Sequence, residues 1–96
     1  MVKTINHYKE LGSIKELLPN EKEDYFKYLS STYQDNLKAS EFNVSQFPRW
    51  SIIASYYAMH DIAKLFLGKI YGLKLTSPHV HAATIQSLRE LVKRED

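Results

Sequence analysis

The stretch from Phe47 to Leu75, FPRWSIIASYYAMHDIAKLFLGKIYGLKL, constrains this chain more than any other. It is the longest apolar run present. At about 100° per residue, Ile52, Tyr56, Met59, Ala63, Phe66 and Ile70 fall on one stripe of a helix. Ile53, Ala58, Ile62, Leu65 and Leu67 widen that stripe around most of the circumference, leaving one polar strip through His60, Asp61 and Lys64 to Gly68. Such a helix needs cover on several sides, so the pattern predicts the middle member of an all-α, up-and-down helical bundle. Charges at Asp61, Lys64 and Lys69 break the run too often for a membrane span, and MVKTINHYKE holds no apolar leader segment.

Ahead of this helix, Ile5, Tyr8, Leu11, Ile14, Leu17 and Leu18 recur at helical spacing, with Gly12 interrupting and Ser13 and Glu16 placed for a capping box. A short helical segment over residues 3–18, in one or two pieces, is therefore expected. Pro19 ends it, and Asn20 reads as the cap of a second helix whose first turn carries Glu23 and Asp24. In that helix Phe26, Leu29, Tyr33 and Leu37 make an inward stripe opposite Glu23, Lys27, Gln34 and Lys38. Pro48 suits the first turn of the long helix, and Gly72 the left-handed residue that stops it. Ser77 and Pro78 read as cap and first residue of a last helix facing inward with Val80, Thr84, Ile85, Leu88, Leu91 and Val92. No strand pattern is visible. With no repeat or linker, residues 1–96 read as one domain whose main bundle spans 20–96.

A domain of 96 residues buries a modest core, and an apolar helix on it gains from covering its open face, so a homodimer is expected. Thirteen basic residues against 11 acidic ones leave a net charge of +2, too little to mark a nucleic-acid footprint without clustering. Cysteine is absent, which removes disulfides and thiolate metal sites and fits a cytoplasmic protein.

The run ASYYAMHDIAKLFL, followed after a short turn by SPHVHAATIQSLREL, resembles the HEPN family of small helical bundles. The resemblance extends from about Glu21 to the C-terminus. It implies a dimerising bundle that binds a nucleotide, RNA or a protein partner, and a nucleotidyltransferase-type partner in a toxin–antitoxin-type pair. Ribonuclease members of the family carry an arginine and a following histidine separated by four to six residues, and no arginine here has a histidine at that spacing. Arg49 lies too far before His60, and Arg89 and Arg94 follow the last histidine, His81. The resemblance is therefore to a member without the catalytic pair.

From the residues alone, four groups merit weighing. Tyr57, His60, Asp61 and Lys64 lie within about a turn of one another, so a base, an acid and a cation converge on a ligand if that face opens to a cleft. The plainer reading makes Asp61 and Lys64 a surface pair and His60 a half-buried packing residue. His79 and His81 sit at a helix start, where the dipole disfavours imidazolium. Two residues apart they face different ways, and no metal site or cofactor is expected. Arg89, Lys93 and Arg94 form a short basic patch for phosphates, or simply a solvated face that complements the helix dipole. The seven tyrosines read as packing groups at helix edges.

No group indicates an enzyme unaided. The leading expectation is a non-catalytic binding or interaction module. A metal-independent ribonuclease using His60 or His79 with Arg49 or Arg89 across helices or subunits is the first alternative. A purely structural assembly domain is the second.

Overall fold

The computed structural model describes residues 3–92. In chain order these form α1 (Ile5–Glu10), β1 (Ile14–Glu16), a 3₁₀ turn (Pro19–Glu21), α2 (Lys22–Asn43), α3 (Pro48–Tyr71), β2 (Leu73–Leu75) and α4 (Val80–Leu91). The predominantly helical architecture matches the expected bundle. It also contains a small sheet that the sequence reading did not anticipate.

Two long helices dominate. α2 and α3 form an antiparallel hairpin, joined by a short turn in which the Phe47 amide donates to Asn43 O at 2.8 Å. Pro48 occupies the first turn of α3, where its missing N–H has no intrahelical acceptor to lose. Gly72 closes α3 in the left-handed region (φ 67°) and donates back to Gly68 O. Small residues allow the two helices to approach closely. Ser51, Ala54, Ala58, Asp61 and Gly68 of α3 are buried, and Ser40 of α2 meets Ser55 Oγ at 2.6 Å and Ser51 Oγ at 3.2 Å. Ser51 Oγ also donates to Ser40 O at 2.7 Å, so the hydroxyls that close packing buries are satisfied within the hairpin.

The expected helix over 3–18 is only six residues long. Thr4 caps α1 by accepting from the His7 amide, and Gly12 then enters the left-handed region (φ 82°), which a helix cannot continue through. Ile14–Glu16 pairs antiparallel with β2 instead, in the register Ile14↔Leu75, Lys15↔Lys74 and Glu16↔Leu73. Hydrogen bonds from Leu17 N to Gly72 O and from Thr76 N to Ser13 O extend the ladder at both ends. Ser13 is buried and donates through Oγ to Pro78 O; it caps no helix. α2 likewise starts after Asn20, because Pro19 opens a 3₁₀ turn of its own. There Glu21 accepts from the Leu18 amide and from Lys74 Nζ, each at 3.0 Å.

α4 begins two residues later than predicted, at Val80 instead of Pro78. The Ser77–Pro78 peptide is cis, and His79, at φ 57°, is the residue before the first helical turn. Inside α4 the fully buried residues are Ala83, Thr84 and Ser87, while Ile85 and Val92, expected inside, are both 42% exposed. Thr84 and Ser87 hydroxyls donate to the carbonyls one turn back, which lets two polar residues face the core.

The core sits at one end of the hairpin. Ile5, Tyr8, Ile14, Leu67, Leu75 and Ala83 form it, with Leu73, Val80, Leu88 and Leu91 packed against them. The reading of α3 is reversed along most of its length. Ile52, Met59 and Ile70 are 70%, 69% and 63% exposed, and Tyr56 and Phe66 also lie open, while His60 and Asp61 from the expected polar strip are buried. Small side chains, not large ones, face α2; of the large apolar ones Leu67 is buried, Ile53 and Leu65 are half-buried and the rest lie open.

Candidate functional site

α3 and α4 meet through aromatic rings. His60 and His81 have ring centroids 4.1 Å apart, Tyr56 stacks parallel to His81 at 5.4 Å, and Tyr57 meets His81 edge-on at 5.4 Å. Tyr56 and His60 are one turn apart on α3, so their contact at 4.5 Å follows from helical spacing. The tertiary crossing of α4 supplies His81. Both Nδ1 atoms are buried, and neither has a hydrogen-bond partner among the described residues. Burial, the neighbouring His81 and the Lys64 charge lower the pKa of His60 below its ordinary value, against a smaller opposing influence from Asp61.

A cavity of about 210 Å³ opens beside the pair, lined by Tyr56, Met59, His60, Ala63, Thr84, Ile85 and Leu88. It shares Met59, Ala63 and Leu88 with a larger groove of about 640 Å³, whose far wall is formed by Tyr33 and Leu37 of α2 and whose floor reaches Ile62 and Phe66. Both are lined almost wholly by apolar groups. Chemically, this place offers a pair of imidazoles on the rim of an apolar furrow.

The sequence-predicted residues separate. His60 faces α4, whereas Asp61 turns to α2 and accepts from Asn36 Nδ2 at 3.0 Å. Adjacent residues on a helix point about 100° apart, which is why the expected base and acid do not share a cleft. Lys64 is half-buried one turn beyond His60, and Tyr57 lies partly exposed beside His81. His79 is exposed at the start of α4 and lies outside the ring cluster. Arg49 is exposed at the beginning of α3, about 16 Å along the helix from His60. Arg89 is exposed at the far end of α4 from His79, about 15 Å along that axis. Of the basic patch only Arg89 is seen, since Lys93 and Arg94 lie outside the described residues.

Two partners escaped sequence reasoning. Asn36 sits on α2 with no local motif around it, and its role appears only once α3 is laid alongside. His81 was weighed only with His79, although Tyr56, His60 and Lys64 at intervals of four already marked the receiving face. Among the described residues no three or more His, Asp or Glu gather as for a metal ion, and no helix is long and apolar enough to cross a membrane. The chain matches no protein-family model, no curated protein and no solved structure.

Proposed function

We propose that this chain is a non-catalytic interaction module of HEPN-like type that self-associates and works beside a nucleotidyltransferase-type partner. The observation that carries self-association is the uncovered face of α3. Five large apolar residues, Ile52, Tyr56, Met59, Phe66 and Ile70, stand open on the longest helix while its small residues are packed inside. A contiguous apolar face of this length marks an interaction surface in a water-exposed domain. The nucleotidyltransferase-type partner rests on the resemblance of ASYYAMHDIAKLFL and SPHVHAATIQSLREL alone.

The geometry gives the ribonuclease alternative less support. Within one helix each histidine named for it lies about three turns from the arginine, so it requires an arginine from another helix or subunit, and the buried His60 has a lowered pKa with no carboxylate hydrogen-bonded to it among the described residues. Sedimentation equilibrium over a hundredfold concentration range tests the reading. A mass of twice the chain is expected at the upper end, and a monomer throughout overturns self-association. Cleavage of RNA by the pure protein, lost in a His60→Ala variant, would overturn the non-catalytic part.

A further inference from the structure

The exposed stripe of α3 has a spacing that specifies more than stickiness. Ile52, Tyr56, Met59, Ala63, Phe66 and Ile70 are separated by four, three, four, three and four residues, the alternation of a two-helix coiled-coil seam. The geometry points to an antiparallel seam between α3 of this chain and α3 of a second copy, with Ile52 layered on Ile70, Tyr56 on Phe66 and Met59 on Ala63 of the other chain. This inference rests on the self-association proposed above and names its partner, its surface and its register.

Three observations favour a second copy over another occupant. First, the stripe is complementary to itself when reversed. Aliphatic end residues meet aliphatic end residues, the two aromatic positions meet, and the largest flexible side chain at the centre meets the smallest, so each layer is filled once. Ala63 is half-buried while Met59 is 69% exposed, which gives a knob and a recess on the same helix. A parallel pairing would instead set Met59 on Met59 and leave Ala63 facing Ala63, a bulge beside a void.

Second, the stripe is free of charge. Between Ile52 and Ile70 the charged residues are Asp61, Lys64 and Lys69, and none lies on it. Asp61 is buried on the side facing α2. A two-fold contact places a surface against its own image, so a charged stripe would repel itself and an uncharged one does not.

Third, the area is of the right size. Taking about 200 Å² for a fully open large side chain, the five large stripe residues leave about 600 Å² uncovered, and the flanking Ile62 brings this to about 700 Å² per chain. Stable interfaces bury about 600–1,000 Å² per partner.

Because the chain has no cysteine, the register can be read by oxidation. Ile52→Cys and Ile70→Cys are made singly, one of them carrying a tag that changes its mass, and each is oxidised alone and mixed with the other. The positions are about 27 Å apart along one helix, too far for a disulfide within a chain or between like positions of an antiparallel pair. A covalent dimer is expected only from the mixture, and only as the mixed species. Covalent dimers from either variant alone overturn the antiparallel seam in favour of a parallel one. A wild-type protein that is dimeric by sedimentation, but whose mixed variants do not link while circular dichroism shows them folded, overturns the seam and leaves self-association standing. A protein that is monomeric at every concentration overturns both.

Discussion

The imidazoles of His60 and His81 lie 4.1 Å apart between α3 and α4, and the Nδ1 atoms of both are buried without a hydrogen-bond partner among the described residues. His60 so placed tolerates a proton badly. A cation on His60 would lose hydration and face His81 and Lys64, with Asp61 alone pulling the other way.

Stability should therefore fall on acidification. The folded-state pKa of His60 lies below the ordinary value of 6.5, so between the two the unfolded chain binds more protons, and stability rises with pH across that interval. The contribution is fully present above about pH 7.5, begins to fall as pH drops through the unfolded value, and stops falling below the folded one. Urea midpoints measured from pH 8 to pH 5 should drop across this window. In a His60→Phe variant the drop should be smaller. A profile unchanged by the substitution would remove His60 as its cause.

Asp61 and Asn36 make a second test, because their bond is all that the hairpin offers a buried carboxylate. Asn36→Ala leaves the Asp61 oxygen without its donor, at an expected cost of about 2 kcal/mol, as for other hydrogen bonds to charged groups. Asp61→Asn keeps an acceptor in place and should cost less than about 1 kcal/mol. Denaturant unfolding of both variants decides it, and the larger loss must come from Asn36→Ala.

Gly68 is set against α2 rather than in a turn. A Cβ there would lie 2.7 Å from Phe26 Cε1 and 3.4 Å from Leu73 O. Alanine would gain about 1 kcal/mol of helix propensity, but the overpacked ring should cost more, for a net loss of about 1–2 kcal/mol. Phe26→Leu removes the clashing edge, so in that background Gly68→Ala should be close to neutral. Thermal melts of the four proteins form a cycle, and equal effects of Gly68→Ala in both backgrounds would sink the explanation.

Local signals in the sequence marked the ends of α3 well. Pro48 and Gly72 bracket α3 because each acts through its own backbone, whatever packs nearby. β1 was hidden because three residues carry no period, and Ile14 fits a helical stripe as readily as a strand pair with Leu75. The side of α3 that packs inward could not be read from hydrophobicity. The hairpin is closed by Ser51, Ser55 and Gly68, whose smallness matters more than their polarity, and the larger residues face out for want of room. The site followed the same pattern. Tyr56 and His60 share a face by helical spacing, but His81 reaches them only through the crossing of α4.

The open stripe yields the remaining prediction. Met59 is 69% exposed at the centre of it, so Met59→Lys should leave the fold of a single chain nearly as stable as before, within about 0.5 kcal/mol. In a two-fold contact the same change brings a pair of ammonium groups into an apolar centre, where each loses water and neither finds a partner. Self-association should weaken at least tenfold, with unchanged helical content, in sedimentation runs on the two proteins. Ile62→Lys, at the margin of the face, should weaken it less. An undiminished dimer in Met59→Lys would place the contact on another surface, such as the hairpin tip with its exposed Phe42 and Phe47.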